Sequence, residues 1–321
     1  MALNRRDVSL SWSTAVQPRL IQAAKNAIVR PVYAVAIHPP FQTFVINLDH
    51  SRDRLNAIAQ RLSRVGLPWI RVPAINGSAL DLSCTTEVDF AGYRRNHGKE
   101  LNAAEVGCYL SHLRAMREFL AGPWNWALVL EDDADFPDGF QHLLERLISV
   151  DDQWDIVKLS SFHSGTPVRI ESLSEHYSLA VPLSRQMNSN SILLNRHAAE
   201  VLVEKLLPMQ LPYDHALERA WLFGLKLRTV TPSPCPSDTN LVSTIGDRQR
   251  LRLFKLRWYR RGPAMVFRAR TEVMRVCFGG IHLMRVHMRS SGWATLRRVS
   301  GRPITWIAIG LVAMLSMAPD F

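Results

Sequence analysis

Cysteine is scarce and scattered in this 321-residue chain: Cys84, Cys108, Cys235 and Cys277 stand far apart, with no C-x-x-C pair. That excludes a zinc cluster or a dithiol redox motif and points to a reducing compartment. A signal-peptide core is also missing, because charged and polar residues interrupt the stretch after Arg5 and Arg6, which argues against secretion. The charge-free apolar stretch at 304–318 falls short of the ~20 residues a helix needs to span a bilayer. Acids are nearly absent from one region. From Arg248 to Arg302, 15 Lys or Arg stand against Glu272 alone, whereas residues 1–247 hold 24 basic and 26 acidic residues. The net charge of +11 therefore belongs to a tail and not to the body. No internal repeat is present.

The length suffices for one large domain or two small ones. An apolar fraction of 47% and a mean hydropathy of -0.04 suit a folded chain rather than a disordered one. Within it, the run Trp126-Ala127-Leu128-Val129-Leu130 leads straight into Glu131-Asp132-Asp133-Ala134-Asp135, four carboxylates in five residues. The run reads as a buried strand, so the acids emerge at its carboxyl end, where open α/β sheets hold ligands. Crowded carboxylates take up protons unless a cation, hydrogen bonds or water compensate them. Hard oxygen ligands favour Mg2+ or Mn2+, usually shared with substrate phosphates. The bland alternative is a strand entering a solvated loop, or a cap for a helix begun near Pro137.

Elsewhere strands and helices alternate. Residues 43–48 predict a strand, and 51–65 a helix, with Leu55, Ile58, Leu62 and Val65 on one face and Gly66 as its stop. A polar turn with two arginines, from Asn47 to Arg54, joins them. A strand at 69–72 precedes the turn Asn76-Gly77. Asn102 and Glu105 have capping-box spacing, followed by Val106, Leu110, Leu113, Met116 and Leu120 at helical intervals. Further helices are expected near 140–148 and at 196–207, with Asn195 as cap, and strands near 155–159 and 225–230. The alternation predicts an α/β domain, a mainly parallel sheet flanked by helices. It would occupy 41–247, after an appendage at 1–40 with an amphipathic helix at 18–29. A basic amphipathic segment at 248–302 and an apolar one at 303–321 would follow.

Several segments in order resemble glycosyltransferase family 25, which includes bacterial enzymes extending lipooligosaccharide or lipopolysaccharide and the related collagen galactosyltransferases. They are Val45-Ile46-Asn47-Leu48-Asp49 with Ser51 to Arg54; Pro73-Ala74-Ile75-Asn76-Gly77; Ala104 through His112; Leu130-Glu131-Asp132-Asp133; Trp154 through Leu159; and Pro212-Tyr213-Asp214. The resemblance implies a GT-A-like nucleotide-sugar-binding fold and inverting sugar transfer from a nucleotide sugar, most often UDP-galactose.

Candidate roles follow. The Asp-x-Asp spacing favours Asp133 and Asp135 as metal ligands, the resemblance Asp132 and Asp133. The acceptor hydroxyl must lose a proton, and the base is either Asp214, which resembles the family's late acidic position, or Glu131. Asp214 also reads as a helix cap after Pro212, and Glu131 as a strand-end residue bonded to backbone. Arg52 and Arg54 suit forked bonds to diphosphate, and Asn47 and Asp49 suit contacts to uridine or ribose; an ordinary helix start capped by Ser51 is the alternative. Ser111 and His112 lie on the capped helix, where His112 is either a donor or acceptor contact or a satisfied structural residue. Glu105 is a supporting residue, Cys108 packing. Asp155 either braces the sheet or lines the cleft.

The arginine-rich tail, interleaved with Leu251, Leu253, Phe254, Trp258, Val266 and Phe267, suits a cationic amphipathic surface. Anionic lipids attract such segments by about 1 kcal/mol per basic residue. A lipid-linked oligosaccharide acceptor and a place at the inner face of the cytoplasmic membrane are expected, with 304–318 dipping into the bilayer, packing, or serving as a tail anchor. Nucleic acid is the competing partner, but no nucleic-acid motif accompanies the arginines. A catalytically silent nucleotide-sugar or membrane-surface binder with the same fold is the alternative to an enzyme.

Overall fold

Six successive buried residues make Phe41–Asn47 (β1) a strand covered on both faces. Its side chains alternate between two cores. Phe44 and Ile46 belong to one cluster and Val45 to the other, as a period of two requires. The computed structural model describes residues 41–83, 85–161, 165–236 and 254–299, with side chains of the last stretch to Met288. The expected helix at 18–29, the rest of 1–40, Cys84 and the apolar stretch at 304–318 lie outside the described residues.

After β1 comes α1 (Arg52–Arg64), with Asp53 in its first turn and Arg61 and Arg64 in its last, the charge order its dipole favours. Gly66, at φ +69°, turns the chain into β2 (Trp69–Pro73). Asp89 caps α2 (Phe90–His97) by accepting from Gly92 N. Asn102 caps α3 (Ala103–Ala121) by accepting from Ala104 N. Then follow β3 (Trp126–Glu131), α4 (Phe140–Ile148), β4 (Ile156–Lys158), β5 (Pro167–Ser172), β6 (Ser178–Pro182) and β7 (Ser191–Asn195). Asn195 accepts from Ala198 N and so caps α5 (Arg196–Lys205). The chain continues through α6 (Tyr213–Leu217), β8 (Leu227–Thr231) and α7 (Gly262–Val299).

The eight strands form one sheet in the order β2-β1-β3-β7-β4-β8-β6-β5. Only β7 and β6 run against the rest. On one face Val129, Ile156 and Ile192 pack with α3 and α5; on the other Val45, Leu128 and Leu130 meet Ile58 and Leu62 of α1 and Phe140 and Leu144 of α4. Each large apolar side chain so buried contributes about 1.5–3 kcal/mol. The α/β class and helix-flanked sheet are as the sequence predicts. β5, β6 and β7 are additions: β5 is a half-exposed edge strand with no apolar run, and β7 is a five-residue insert between polar neighbours.

Part of the basic tail packs onto the body. Its helix α7 packs against α2 and β6, and Arg275, 3% exposed, points into the body toward Glu218 and Glu272. Arg275 is thereby taken up by the fold, while Arg260, Arg270, Trp258, Met265 and Val266 of the tail stay exposed. Among the described residues no helix is long and apolar enough to cross a membrane.

Candidate active site

At the carboxyl ends of β1 and β3 opens a cavity of about 320 Å3, within the range of small-molecule sites. β1 and the turn after it contribute Asn47, Leu48 and His50, α1 contributes Arg54, and β3 contributes Glu131 and Asp132. The opposite wall is the loop 74–78 with Ala104, Cys108, Ser111 and His112 of α3. That wall depends on two glycines. A Cβ on Gly77 would lie 1.8 Å from Ala103 O, and one on Gly107 2.4 Å from Ile75 O, so only glycine lets α3 touch the loop backbone. Ser111 locks the contact, accepting from Ile75 N at 2.8 Å and donating to Gly107 O at 2.6 Å. Its hydroxyl is thereby a fastener of the wall.

Asp132 is held from two sides. Asn47 Nδ2 donates to its carboxylate at 2.7 Å, and Arg54 forms an ion pair with its other oxygen. Asn47 also donates to Ser51 O at 3.0 Å and accepts from Arg71 Nε at 3.2 Å. Its amide thereby orients Asp132 at the cavity lining. Burial lifts the Asp132 carboxyl, and Arg54 and Asn47 offset only part of that.

Glu131, 29% exposed, projects from the strand end with fully buried His112 behind it, Nε2 to Oε1 3.1 Å. The His112 ring stacks on Tyr213 of α6, centroids 3.9 Å apart. Cys108 Sγ lies 3.8 Å from the same carboxylate oxygen. Burial raises Glu131, but the bond to His112, its charge and Arg54 outweigh that and hold the carboxyl below its usual range. His112 is thus a support for Glu131. Cys108, His112 and Glu131 offer ligand atoms within 4.8 Å of one another. Burial, then Glu131, pushes the thiol far up, and toward Glu131 it is a weak donor.

The other acids diverge. Asp133 accepts from Asn190 Nδ2 at 3.3 Å, and burial, then Glu131, lifts its carboxyl to about 6. Asp135 turns to α1, 3.8 Å from Arg61 and 3.5 Å from Arg64. Asp49 is exposed and paired with Arg71 at 2.5 Å, and Arg52 is exposed on α1 outside the cavity lining. Asp214 opens α6, accepting from its neighbour His215 N; its charge raises Glu105, Cys108 and Tyr93, but it does not line the cavity. Asp155 is the correction at the far end. It accepts from Asn195 Nδ2 at 3.0 Å and Lys226 N at 2.7 Å, and Asn195 faces Trp126 at the amino end of β3. Asp155 braces the sheet at the edge opposite the cavity.

The model of glycosyltransferase family 25 (LPS biosynthesis protein) matches residues 41–217, more than half of the chain and all of the cavity lining. The chain belongs to glycosyltransferase family 25. This family 25 chain is 31% identical over 126 residues to procollagen galactosyltransferase 1-B of Xenopus laevis, a match covering 37% of the chain and 21% of the relative. It is 25% identical over 187 residues to procollagen galactosyltransferase 1 of Danio rerio, covering 55% and 30%. It is also 31% identical over 126 residues to inactive glycosyltransferase 25 family member 3 of Homo sapiens, covering 37% and 21%. The family 25 chain thus spans a fifth to a third of the length of these relatives. Among solved structures, a mannosyltransferase from Pyrobaculum calidifontis in complex with GDP-Man and Mn2+ aligns with a TM-score of 0.37 at 12% identity, covering 92% of each chain. A glycosyltransferase involved in glycosylation of the major capsid of PBCV-1 aligns at 0.31 and 12%, covering 58% of this chain and 78% of that one.

Sequence reasoning overlooked three parts of the family 25 site. Arg71 anchors Asn47 and Asp49, Tyr213 backs His112, and Cys108, expected only to pack, lines the cavity. Each is a single residue on a different element, meeting its partner only in the fold. Glu105, expected in the cap, accepts a hydrogen bond from the buried Tyr93 hydroxyl.

Proposed function

We propose that the chain transfers a hexose, galactose from UDP-galactose, to a hydroxyl of a lipooligosaccharide or lipopolysaccharide acceptor with inversion at the anomeric carbon. The observation that carries this reading is Glu131, a carboxylate held in its ionised form at the wall of a 320 Å3 cavity. In an inverting transfer the acceptor hydroxyl attacks the anomeric carbon while the nucleoside diphosphate leaves from the opposite face. Glu131 accepts the hydroxyl proton on a carboxylate oxygen, and His112 keeps that carboxylate aimed. A positioned base of this kind contributes ~10²- to 10⁴-fold. Asp214 is the weaker candidate because it lies outside the cavity lining.

The acids after Glu131 fit a hard divalent cation, Mn2+ or Mg2+. Asp133, raised to about 6 by burial and Glu131, has the strained ionisation an added positive charge relieves. Asp133, outside the cavity lining, and Asp132, within it, would hold the ion, Asp132 through lone pairs left beside its bonds to Arg54 and Asn47; Asp135 faces Arg61 and Arg64 on α1. When bound, such an ion stabilises charge on the departing diphosphate. Arg54 and Asn47 keep Asp132 in place for that task.

On this reading the chain works at the inner face of the cytoplasmic membrane, where its lipid-linked acceptor lies. Support comes from the exposed Trp258, Met265 and Val266 among the arginines of the tail, a mixture that binds anionic interfaces. The metal assignment is tested by melting curves with UDP-galactose and Mn2+ against EDTA. Mn2+-dependent stabilisation is expected in the native chain and none in Asp133→Ala, with the EDTA curves of both alike. Equal Mn2+-dependent stabilisation in the variant contradicts the assignment.

A further inference from the structure

His215, the residue after Asp214, belongs to a second recess, lined by α2, α6 and α7. Its ring centroid is 5.2 Å from that of His97, and Arg185, Arg219, Arg268 and Arg275 complete the basic part of the lining. The charges there do not balance. Arg275 pairs with Glu218 and Glu272, and Glu218 already holds Lys158 at 2.8 Å. Among the described residues no carboxylate lies within ion-pair distance of Arg185, Arg219 or Arg268. Arg268 donates to His97 O at 2.7 Å, and Arg219 lies 4.6 Å over the Phe267 ring. The arginines also depress one another: after burial, Arg270 and Arg275 lower Arg219, and Arg185 and Arg261 lower Arg268.

His97 supplies an independent sign of a ligand. It lines the recess at 3% exposure with neither ring nitrogen hydrogen-bonded. Burial, followed by His215, Lys99, Arg268 and Arg185, drives its ring down to about 2. The neutral imidazole keeps one N–H donor, in a place where a protein rarely leaves one unused.

We propose that this recess binds a phosphate group, its oxygens taken by the guanidinium groups of Arg185 and Arg219 and by the buried ring of His97. Forked guanidinium bonds match phosphate oxygens. The free space, about 20 Å3, is room for about one water-sized atom, so one phosphate oxygen enters the recess while the rest of the group stays at its mouth, as the tip of a larger molecule or as the free ion. Resting on the transferase reading, the tip is a phosphate carried by the acceptor. His215 stands two residues after Tyr213, whose ring stacks on His112 of the cavity wall with centroids 3.9 Å apart, so a phosphate held here tethers an acceptor beside the reacting centre.

The test is titration of the full chain with inorganic phosphate at constant ionic strength, followed by calorimetry and melting temperature. Saturable binding is expected, at least tenfold weaker in Arg185→Gln/Arg219→Gln and unchanged in Arg169→Gln, a variant of an exposed arginine on β5. Arg268→Gln, on the exposed side of α7, gives a milder second reading if the double variant misfolds. Absence of saturable binding, or equal binding by all variants, overturns the proposal. Glucose 6-phosphate and phosphatidylglycerol vesicles then separate the sources: competition by the sugar ester against inorganic phosphate supports a soluble or saccharide phosphate, and competition by the vesicles alone a lipid headgroup. Inorganic phosphate excluded by every variant while vesicles still bind overturns it. No donor sugar enters the titration, so its failure leaves the transferase reading standing, and failed transfer leaves the recess standing.

Discussion

At the scale of single residues, the site is a set of acids sorted by their partners. Asp132 is paired with Arg54 and hydrogen-bonded by Asn47, Glu131 is held below its usual range beside His112, and Asp133 is left raised to about 6. Neighbours in sequence thus have different jobs because their surroundings differ. Glu131→Gln keeps the shape and removes the proton acceptor. Its kcat should fall ~10²- to 10⁴-fold with little change in the donor KM, measured from initial rates of UDP release; a kcat within a few fold of the native chain would move the base to Asp214. Much of this was legible because apolar runs end abruptly in polar residues at Asn47 and Glu131, and a strand's carboxyl end is where ligands sit. Asp155 was not. It also borders an apolar strand, and which end of the sheet it occupies depends on the direction β4 runs relative to β1 and β3, which the local sequence does not carry.

At the scale of elements, the cavity wall exists because α3 lies backbone to backbone against the loop 74–78. Gly107→Ala would push a methyl to 2.4 Å from Ile75 O and 2.6 Å from Gly77 N. Overpacking costs about 1–3 kcal/mol, and neither neighbour is a flexible side chain, so urea unfolding should show at least that loss together with weakened donor binding. A second junction ties α7 to the sheet. Glu218 accepts from Lys158 Nζ at 2.8 Å and from Gln186 N and Met187 N, and faces Arg275 at 3.2 Å. Burial raises its carboxyl, but Lys158 and Arg275 outweigh that and hold it below the ordinary 4.5. As pH falls, the unfolded chain takes up this proton first, so the stabilisation is full at neutral pH and lost as pH drops through 4.5 toward the folded value. Glu218→Gln strands Lys158 and should cost about 3–5 kcal/mol at neutral pH, with a flatter acid limb when urea midpoints are plotted against pH. The helices α3 and α5 were readable from their caps Asn102 and Asn195, and α1 from its apolar spacing, since its expected cap Ser51 makes no side-chain bond to the helix. β7 and the docking of α7 were not, since an antiparallel insert and a lysine-glutamate-arginine contact join residues 158, 218 and 275 that no local pattern connects.

At the scale of the molecule, the family 25 membership covers the body, 41–217, and the tail adds a helix whose inner arginines hold the fold while its outer face carries Met265, Val266 and Val273. One chain thereby combines a polar cavity, a cationic recess and an exposed apolar face, the three surfaces on which the proposals for sugar, phosphate and lipid rest. The central claim is catalytic transfer at the β1–β3 cavity, and its most direct measurement is UDP release from UDP-galactose by the full chain with Mn2+ and a lipooligosaccharide acceptor. The account predicts turnover that stops with EDTA and drops at least a hundredfold in Glu131→Gln, which follows from ~10²-fold or more for a positioned base. Folded protein that binds UDP-galactose yet releases no UDP, or releases it equally in Glu131→Gln, would contradict it.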